Sequence, residues 1–518
     1  MEVFLMLLSC LVISDAARIL VMVPTPSFSH QVVFRPLITE LVKRGHEVVY
    51  ITTDPIFKNE ERPANLTEID VHDLSYEMWR NGFMKSKVTS GDKGDSKDQL
   101  AVMGDLIIDI YEQQLLVDDV YKILTDKSQK FDLLIFEAYF AGLLGISHLI
   151  KAPVIQMSSL GPTGRTVRDI GASYHPLLYP TYFAQKLNNR SFWDKISELY
   201  YEYYIENHLS ELNELAHAKF KKIYGADIPP LEELRNNIDM LFLNVHPIWD
   251  FNRPVPPNVI YMGGLHQKDK KELPQDLKSY LDSSKHGVIY ISFGTNVDPG
   301  QLPAEKIQAM INALSKLPYD VLWKWNQDVL PGRTPNIRIS KWLPQSDLLR
   351  HPKIKLFITQ GGLQSTDEAI NAGVPLIGMP MLADQWFNVE IYERHKIGLG
   401  INFDALTEDK LKSAIDTIVN DNTYRQNVVR LRQIMHDQPQ SPLERAVWWT
   451  EHVIRHSGAR HLRAPAANMS WHQYYELELV TYVLLALTTV TMSIILACYY
   501  VYTIVFGQFR TSIKMKRS

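Results

Sequence analysis

The stretch from Lys341 to Gln385 gathers residue types that could hold an activated sugar. An apolar run, Lys355 to Thr359, ends at Gln360-Gly361-Gly362, and a helical pattern follows. Paired glycines let a ligand come close to the backbone, and the free N–H groups of a helix's first turn attract an anion. Gln364, Ser365 and Glu368 stand at i, i+1 and i+4, on one side of that helix. The amide and hydroxyl suit phosphate. The carboxylate one turn on suits the paired hydroxyls of a ribose, because it accepts two hydrogen bonds. Asp384-Gln385 closes the next strand–loop at the same edge, an acid and an amide fit for sugar hydroxyls. Trp342 opens the stretch, and an indole stacks well on a base.

Other chemistries lack their anchors. The chain has no GxGxxG, no GxxxxGK[ST], no HExxH and no Asp-x-Asp pair. Its two cysteines, Cys10 and Cys498, lie in apolar segments outside the expected folded body, which excludes a disulfide framework, a cysteine-ligated zinc site and a cysteine nucleophile there. A net charge of −4 with 46% hydrophobic residues describes a globular protein with no electrostatic case for nucleic acid.

The elements that must position these residues read as two similar halves. Arg18 to Pro24 is a strand, a helix follows with Phe34, Leu37, Ile38, Leu41 and Val42 at helical spacing, and Glu47 to Thr52 is the next strand. The stretch from Gly287 repeats this: strand, a loop over Asn296 to Gly300, a helix over Pro303 to Leu317, and a strand over Val321 to Trp325. Val374 to Pro380 reads as a further strand, and helices are expected at Trp386 to Lys396, Glu408 to Asn420 and Pro442 to His456. Continuous apolar strands alternating with helices belong to parallel sheets covered on both faces. The expected organisation is α/β: two doubly wound domains, residues 18–265 and 287–470, joined by a polar linker over 266–286 and facing one cleft. Asp92 to Asp98 reads as a solvated loop. The aromatic stretch Tyr174 to Tyr204 has three readings: helix packing, a lipophilic pocket, or contact with a membrane face.

The ordered set from Trp342 to Gln385, including WLPQ, Gly373-Val374-Pro375 and Pro380, resembles the signature of the UDP-glycosyltransferases, two-domain GT-B enzymes with Rossmann-like halves. The resemblance implies a UDP-sugar donor as co-substrate, a small acceptor, and no cofactor or metal. By position it implies that Trp342 stacks on uracil, that Gln345 holds the base edge or ribose, and that Glu368 binds the ribose. It places Gln364, Ser365, Gly361, Gly362 and, from another loop, Gly294 and Thr295 at the diphosphate, and Asp384 and Gln385 at the donor sugar. Many members carry His where this chain has Gln360, some invertebrate members carry Gln there too, and Gln brings no positive charge. Taken alone, His30 in PTPSFSH would be a surface or N-cap histidine. The resemblance makes it the general base, with a carboxylate partner at the end of the strand FDLLIFE, where the family's usual Asp is replaced by Glu137. Asp132 is expected to be structural.

Flanking segments address the chain. Val3 to Ile13 followed by Ala16-Ala17 fits a signal peptide over 1–17, although Glu2 stands where a basic residue is usual. Val480 to Phe506 is 27 residues without charge, long enough for a single transmembrane helix, and aromatic residues flank it. The tail 507–518 carries Arg510, Lys514, Lys516 and Arg517, which places the C-terminus in the cytosol and the body in the lumen. Sequons at Asn65, Asn189 and Asn468 agree with glycosylation there, and the spacing of Lys514 and Lys516 resembles an endoplasmic reticulum retrieval signal.

The leading expectation is an inverting, metal-independent hexosyltransferase of the endoplasmic reticulum membrane, with glucose the favoured sugar and a small lipophilic hydroxyl compound, as in detoxification, the acceptor. Met78 to Phe83 and Tyr174 to Tyr204 are candidates for the acceptor site. A binding-only membrane partner is the alternative that Gln360 and Glu137 motivate, and lipid or protein acceptors are a third reading. Homo- or hetero-oligomerisation is left open.

Overall fold

The computed structural model describes residues 16–57, 61–85, 96–295, 297 and 299–515. The chain divides into a body ending at Ala467 and a second unit from Asn468. The expected signal peptide lies outside the described residues except for Ala16 and Ala17.

The first sheet has strands β1 (Arg18–Val23), β2 (Glu47–Thr52), β3 (Leu66–Asp70), β4 (Leu133–Glu137), β5 (Val154–Ser158), β6 (Ile238–Leu243) and β7 (Val259–Tyr261), in the order β3-β2-β1-β4-β5-β6-β7. The second has β8 (Val288–Ser292), β9 (Asp320–Lys324), β10 (Ile337–Ser340), β11 (Ile354–Thr359), β12 (Leu376–Gly378) and β13 (Gly398–Gly400), ordered β10-β9-β8-β11-β12-β13. Every pairing is parallel. Both orders follow the doubly wound pattern, in which the order reverses beside the first strand and ligands collect beyond the C-terminal strand ends. Helices cover both faces, so the central strands β4 and β8 are buried at every residue, which explains their unbroken apolar sequence.

Helix α1 (Phe28–Lys43) buries Val33, Phe34, Leu37, Ile38, Leu41 and Val42, the residues that the helical spacing picked out. Its entrance is built around one amide. Gln31 is fully buried, and its nitrogen donates to the Val23 and Thr25 carbonyls and to Thr53 Oγ1 at 2.9–3.0 Å. Its oxygen accepts from Tyr50 and Thr52 at 2.7 and 2.8 Å. One side chain thus ties the ends of β1 and β2 to the first turn of α1. Asp132 is structural as expected: it accepts from the Arg18 N–H at 2.8 Å.

Three expectations need correction. Residues 275–283 of the expected linker form a helix that buries Leu277 and Leu281, because its apolar residues recur at i and i+4. Ser96–Leu115 is helical, so the expected loop 92–98 loses its last three residues to helix α2, and the rest lies outside the described residues. The helix Pro442–Arg455 belongs by sequence to the second half, yet Ala446, Val447, Val453 and Ala459 join the core formed by the first sheet and α1. Asp239, beside the start of β6, accepts from the N–H groups of Val154 and Ala459 and so ties this return to the sheet.

In the second unit the helix Leu477–Met515 contains Leu477–Gln508, long and apolar enough to cross a membrane and exposed throughout. It fits a single-pass membrane anchor.

Replacing Gln31 with Leu keeps the volume but leaves several buried donors and acceptors unpaired, at about 1–3 kcal/mol each. Gln31→Leu is expected to destabilise the body by about 3 kcal/mol or more. The measurement is the shift in thermal unfolding of the detergent-solubilised protein, and an unchanged midpoint would contradict this account.

Candidate active site

The C-terminal ends of both sheets open on one cavity of about 1830 Å³. On the first-half side, His30 occupies the first turn of α1 and lines it. Its Nδ1 lies 2.5 Å from Glu137 Oε1 and 3.0 Å from Ser159 Oγ. With Nδ1 held in this way, Nε2 is the nitrogen left for the cavity. Glu137 ends β4 and is fully buried behind His30, and its Oε2 accepts from Thr25 Oγ1 at 2.5 Å. The longer arm of Glu, compared with the family's usual Asp, therefore still reaches the imidazole.

On the second-half side, helix α3 (Leu363–Ala372) starts directly after β11. Gly361 has φ +91, and a Cβ there would sit 2.7 Å from the Val389 side chain. Gly294 has φ +73, and a Cβ would come within 2.2 Å of the Gln360 amide nitrogen. Both positions require glycine, one for a left-handed turn against a helix and the other for close packing against Gln360. Gln360, Gly362, Ser365 and Thr295 line the cavity, whereas Gly361 lies behind it with its carbonyl accepting from Asn388 at 2.9 Å. Beside them, Lys324 Nζ donates to the Gly294 carbonyl at 2.6 Å, and burial lowers its pKa.

Trp342 stands at the cavity wall with 70% of its surface exposed, an indole face open to a flat ligand. Gln345 donates to Ser365 Oγ at 2.9 Å and Glu368 Oε2 at 2.7 Å, and accepts from Tyr290 at 3.0 Å. It thereby fixes the two α3 side chains at the spacing read from the sequence. Burial raises the pKa of Glu368. Gln364 lines the cavity beside Ser365. Its amide donates to the Ser159 carbonyl of the first half at 3.0 Å, and so bridges the two halves.

Asp384 and Gln385 start helix α4 (Gln385–Arg394). Burial pushes the Asp384 carboxyl up to about 6, with Asn388 and the nearby His30 pulling it back. Asn388 donates to Asp384 Oδ2 at 2.6 Å and accepts from Trp249 Nε1, on the first-half side, at 2.9 Å. Gln385 Oε1 accepts from the Met381 and Leu382 N–H groups, both at 2.9 Å.

The acceptor candidates come from two helices and the turn at Tyr182-Phe183. Trp79, Arg80 and Asn81 line the cavity from the helix His72–Lys85. Of the aromatic stretch, Tyr182, Phe183 and Tyr201 face the cavity, while Phe192, Trp193, Tyr200 and Tyr203 are exposed. Of the sequons, Asn189 is exposed and Asn468 half-buried, whereas the Asn65 amide donates to the Val42 and His46 carbonyls at 2.8 Å. Among the described residues no group of three or more His, Cys, Asp and Glu could hold a metal ion.

Sequence reasoning missed Thr25, Gln31, Ser159 and Asn388. Thr25 lies within the His30 motif and Gln31 directly follows it, so both could have been flagged. Asn388 stands one helical turn after Asp384 and could have been flagged with it, whereas Ser159 carries no local signal, since it meets His30 across 129 positions.

Comparison with known proteins accounts for this arrangement. The family model described as "UDP-glucoronosyl and UDP-glucosyl transferase" matches residues 17–511. An ecdysteroid UDP-glucosyltransferase of Spodoptera littoralis nuclear polyhedrosis virus is 35% identical over 504 residues, 93% of this chain and 97% of that protein. The human UDP-glucuronosyltransferase 2B17 is 30% identical over 514 residues, 96% of each. In fold, the body is similar to a UDP-glucose:anthocyanidin 3-O-glucosyltransferase solved in complex with UDP, with a TM-score of 0.58, 17% identity, and coverage of 85% of this chain and 99% of that one. With two parallel sheets in the GT-B arrangement and a family match along nearly its whole length, this chain belongs to the UDP-glycosyltransferases, enzymes that transfer glucose or glucuronic acid from a UDP-sugar.

Proposed function

We propose that the protein is an inverting UDP-glucosyltransferase acting on the hydroxyl of a small lipophilic acceptor, with His30 as general base. The observation that carries this reading is the Glu137–His30 contact at 2.5 Å on the wall of the cavity that also holds the α3 N-terminus. Glu137 keeps the Nδ1 proton in place and stabilises the imidazolium as it forms. His30 Nε2 takes the acceptor proton as the acceptor oxygen attacks the anomeric carbon. The bond from that carbon to the β-phosphate oxygen breaks on the opposite face, which inverts the centre. UDP leaves with its new charge near the first-turn N–H groups of α3. Lys324 supplies there the positive charge that Gln360 lacks.

Trp342 stacks on uracil, while Gln345 and Glu368 take the base edge and ribose. Ser365, Thr295, Gln360 and the glycine backbone hold the diphosphate, with Gln364 contributing its backbone, and Asp384 and Gln385 hold the sugar. The donor is glucose, which the viral UDP-glucosyltransferases at 35–36% identity support over the 30% identity to human UDP-glucuronosyltransferase 2B17. Ecdysteroids, named for those viral relatives, belong in the acceptor screen. The first half takes the acceptor and the second half the donor. The body lies in the lumen of the endoplasmic reticulum with the basic tail in the cytosol, and Asn189, the exposed sequon, carries glycan. The binding-only alternative loses much of its motive, because Glu137 reaches His30.

His30→Ala is expected to lower kcat by about 10²–10⁴-fold, the usual worth of a general base, while UDP affinity stays within about threefold. Glu137→Gln is expected to cost about 10²-fold in kcat or more, through loss of the imidazolium partner. Both are read from acceptor-dependent UDP release by membranes, and turnover untouched by His30→Ala would sink the assignment. Asp384 accepts from paired sugar hydroxyls best when ionised, since protonation turns one of its oxygens into a donor. In His30→Ala protein, where the base cannot contribute and no longer pulls the Asp384 carboxyl down, UDP-glucose binding should weaken as pH falls, with a midpoint above the value of about 6 that holds with His30 present. Asp384→Asn should remove that dependence, and a flat profile before the substitution would contradict it.

A further inference from the structure

The cavity does not end at the catalytic cleft. It extends into the first half, where Tyr111, Leu144, Leu212, Ala216 and Phe220 make an apolar wall from the sheet to the long helix Phe192–Tyr224. It also reaches Gln156, Arg165, Asp169 and Arg235. Arg235 stands just before the N-terminal end of β6, whereas His30 follows the C-terminal end of β1. Since the strands are parallel, the two residues lie at opposite edges of the sheet. A six-residue strand spans about 20 Å, so they are separated by roughly that distance.

This far end is polar. Arg235 is 1% exposed, and neither its Nε nor its Nη2 makes an aligned hydrogen bond, although Nη2 lies 3.6 Å from Glu232 Oε1. Its Nε lies 3.3 Å from Asp169 Oδ2 without hydrogen-bond alignment. Arg165 Nε likewise makes no aligned hydrogen bond and lies 3.6 Å from Glu206 Oε2, which Arg168 also contacts. Burying a guanidinium with donors unmade is costly, so such a site favours whatever supplies an acceptor oxygen. The positive charge is already met: Arg165, Arg168 and Arg235 face Asp169, Glu202, Glu206 and Glu232. A further anion would be in excess, so a neutral oxygen is the better fit.

We propose that this end of the cavity is a second recognition site for the acceptor, at which Arg235 and Arg165 bind a neutral hydrogen-bond-accepting oxygen, a ketone or hydroxyl, remote from the hydroxyl that is glycosylated. The acceptor class is then an elongated, largely apolar alcohol oxygenated at both ends. The inference rests on the reading of the cleft as a glucosyltransferase site.

The test uses the full-length protein in detergent and two acceptors: a hydroxysteroid of sterol length bearing a ketone at the far end of its side chain, and the same hydroxysteroid without it. With UDP-glucose, kcat/KM is expected to favour the ketone by about tenfold or more, because a site that hydrogen-bonds one substrate group discriminates against its absence. Arg235→Leu and Arg165→Met should each bring that ratio toward one, and UDP binding by both variants checks that they fold. A ratio near one in the unmodified protein, or a ratio that neither variant changes, would overturn the proposal, the second case meaning that these N–H groups hold solvent. Equilibrium binding of both steroids to UDP-loaded protein is measured in parallel. If neither steroid is glucosylated, the transferase reading of the acceptor fails, and the binding arm still decides the subsite: a tenfold preference supports it and less than twofold overturns it.

Discussion

A carboxylate with no exposed surface, at the end of a central strand, sets the condition that the rest of the site around it meets. Glu137 could not stay buried without partners, since an unpaired charge in the interior is strongly disfavoured. It has three: the Thr25 hydroxyl and N–H on one oxygen and the His30 ring on the other. Those partners come from the loop after β1 and the first turn of α1. Their positions depend in turn on Gln31, which holds the ends of β1 and β2 in register with the helix start. The parallel pairing of β1 with β4 brings the loop and the carboxylate to the same sheet edge. One buried charge therefore links sheet topology to the orientation of an imidazole.

The two halves are coupled by polar contacts that converge on the donor side. Trp249 holds Asn388, which in turn holds Asp384 and the Gly361 carbonyl. Gln364 reaches across to Ser159, whose hydroxyl touches His30. Glu390 accepts from the N–H groups of Leu187 and Asn188. The acid expected at the donor sugar and the histidine expected to act as base are thus each oriented partly by residues of the opposite half. Buried networks of this kind reward complete pairing and make a single geometry favourable.

The cavity follows a different logic from the cleft. Its walls in the first half are apolar side chains from packed helices, which suit a lipophilic compound without selecting one. Selectivity in such a space falls to the few buried polar groups that a ligand must satisfy, and Arg235 and Arg165 are two of them.

Local pattern and composition determined much of this protein. Unbroken apolar strands alternating with helices specified two parallel α/β sheets, because only sheets covered on both faces tolerate such strands. The spacing of Gln364, Ser365 and Glu368 put them on one side of a helix, and a helix keeps that relation wherever it is placed. The charge-free C-terminal run declared its helix by length alone. Tertiary structure decided what depends on pairs distant in the chain. It decided that Glu137 meets His30 across 107 positions, that Gln364 spends its amide on Ser159, and that the helix Pro442–Arg455 packs on the first sheet. It also decided that Arg235, beside β6, lines the same cavity as His30. Periodicity records which face of an element is buried but not which partner buries it, and hydrogen bonds between distant residues leave no local trace in either strand or helix.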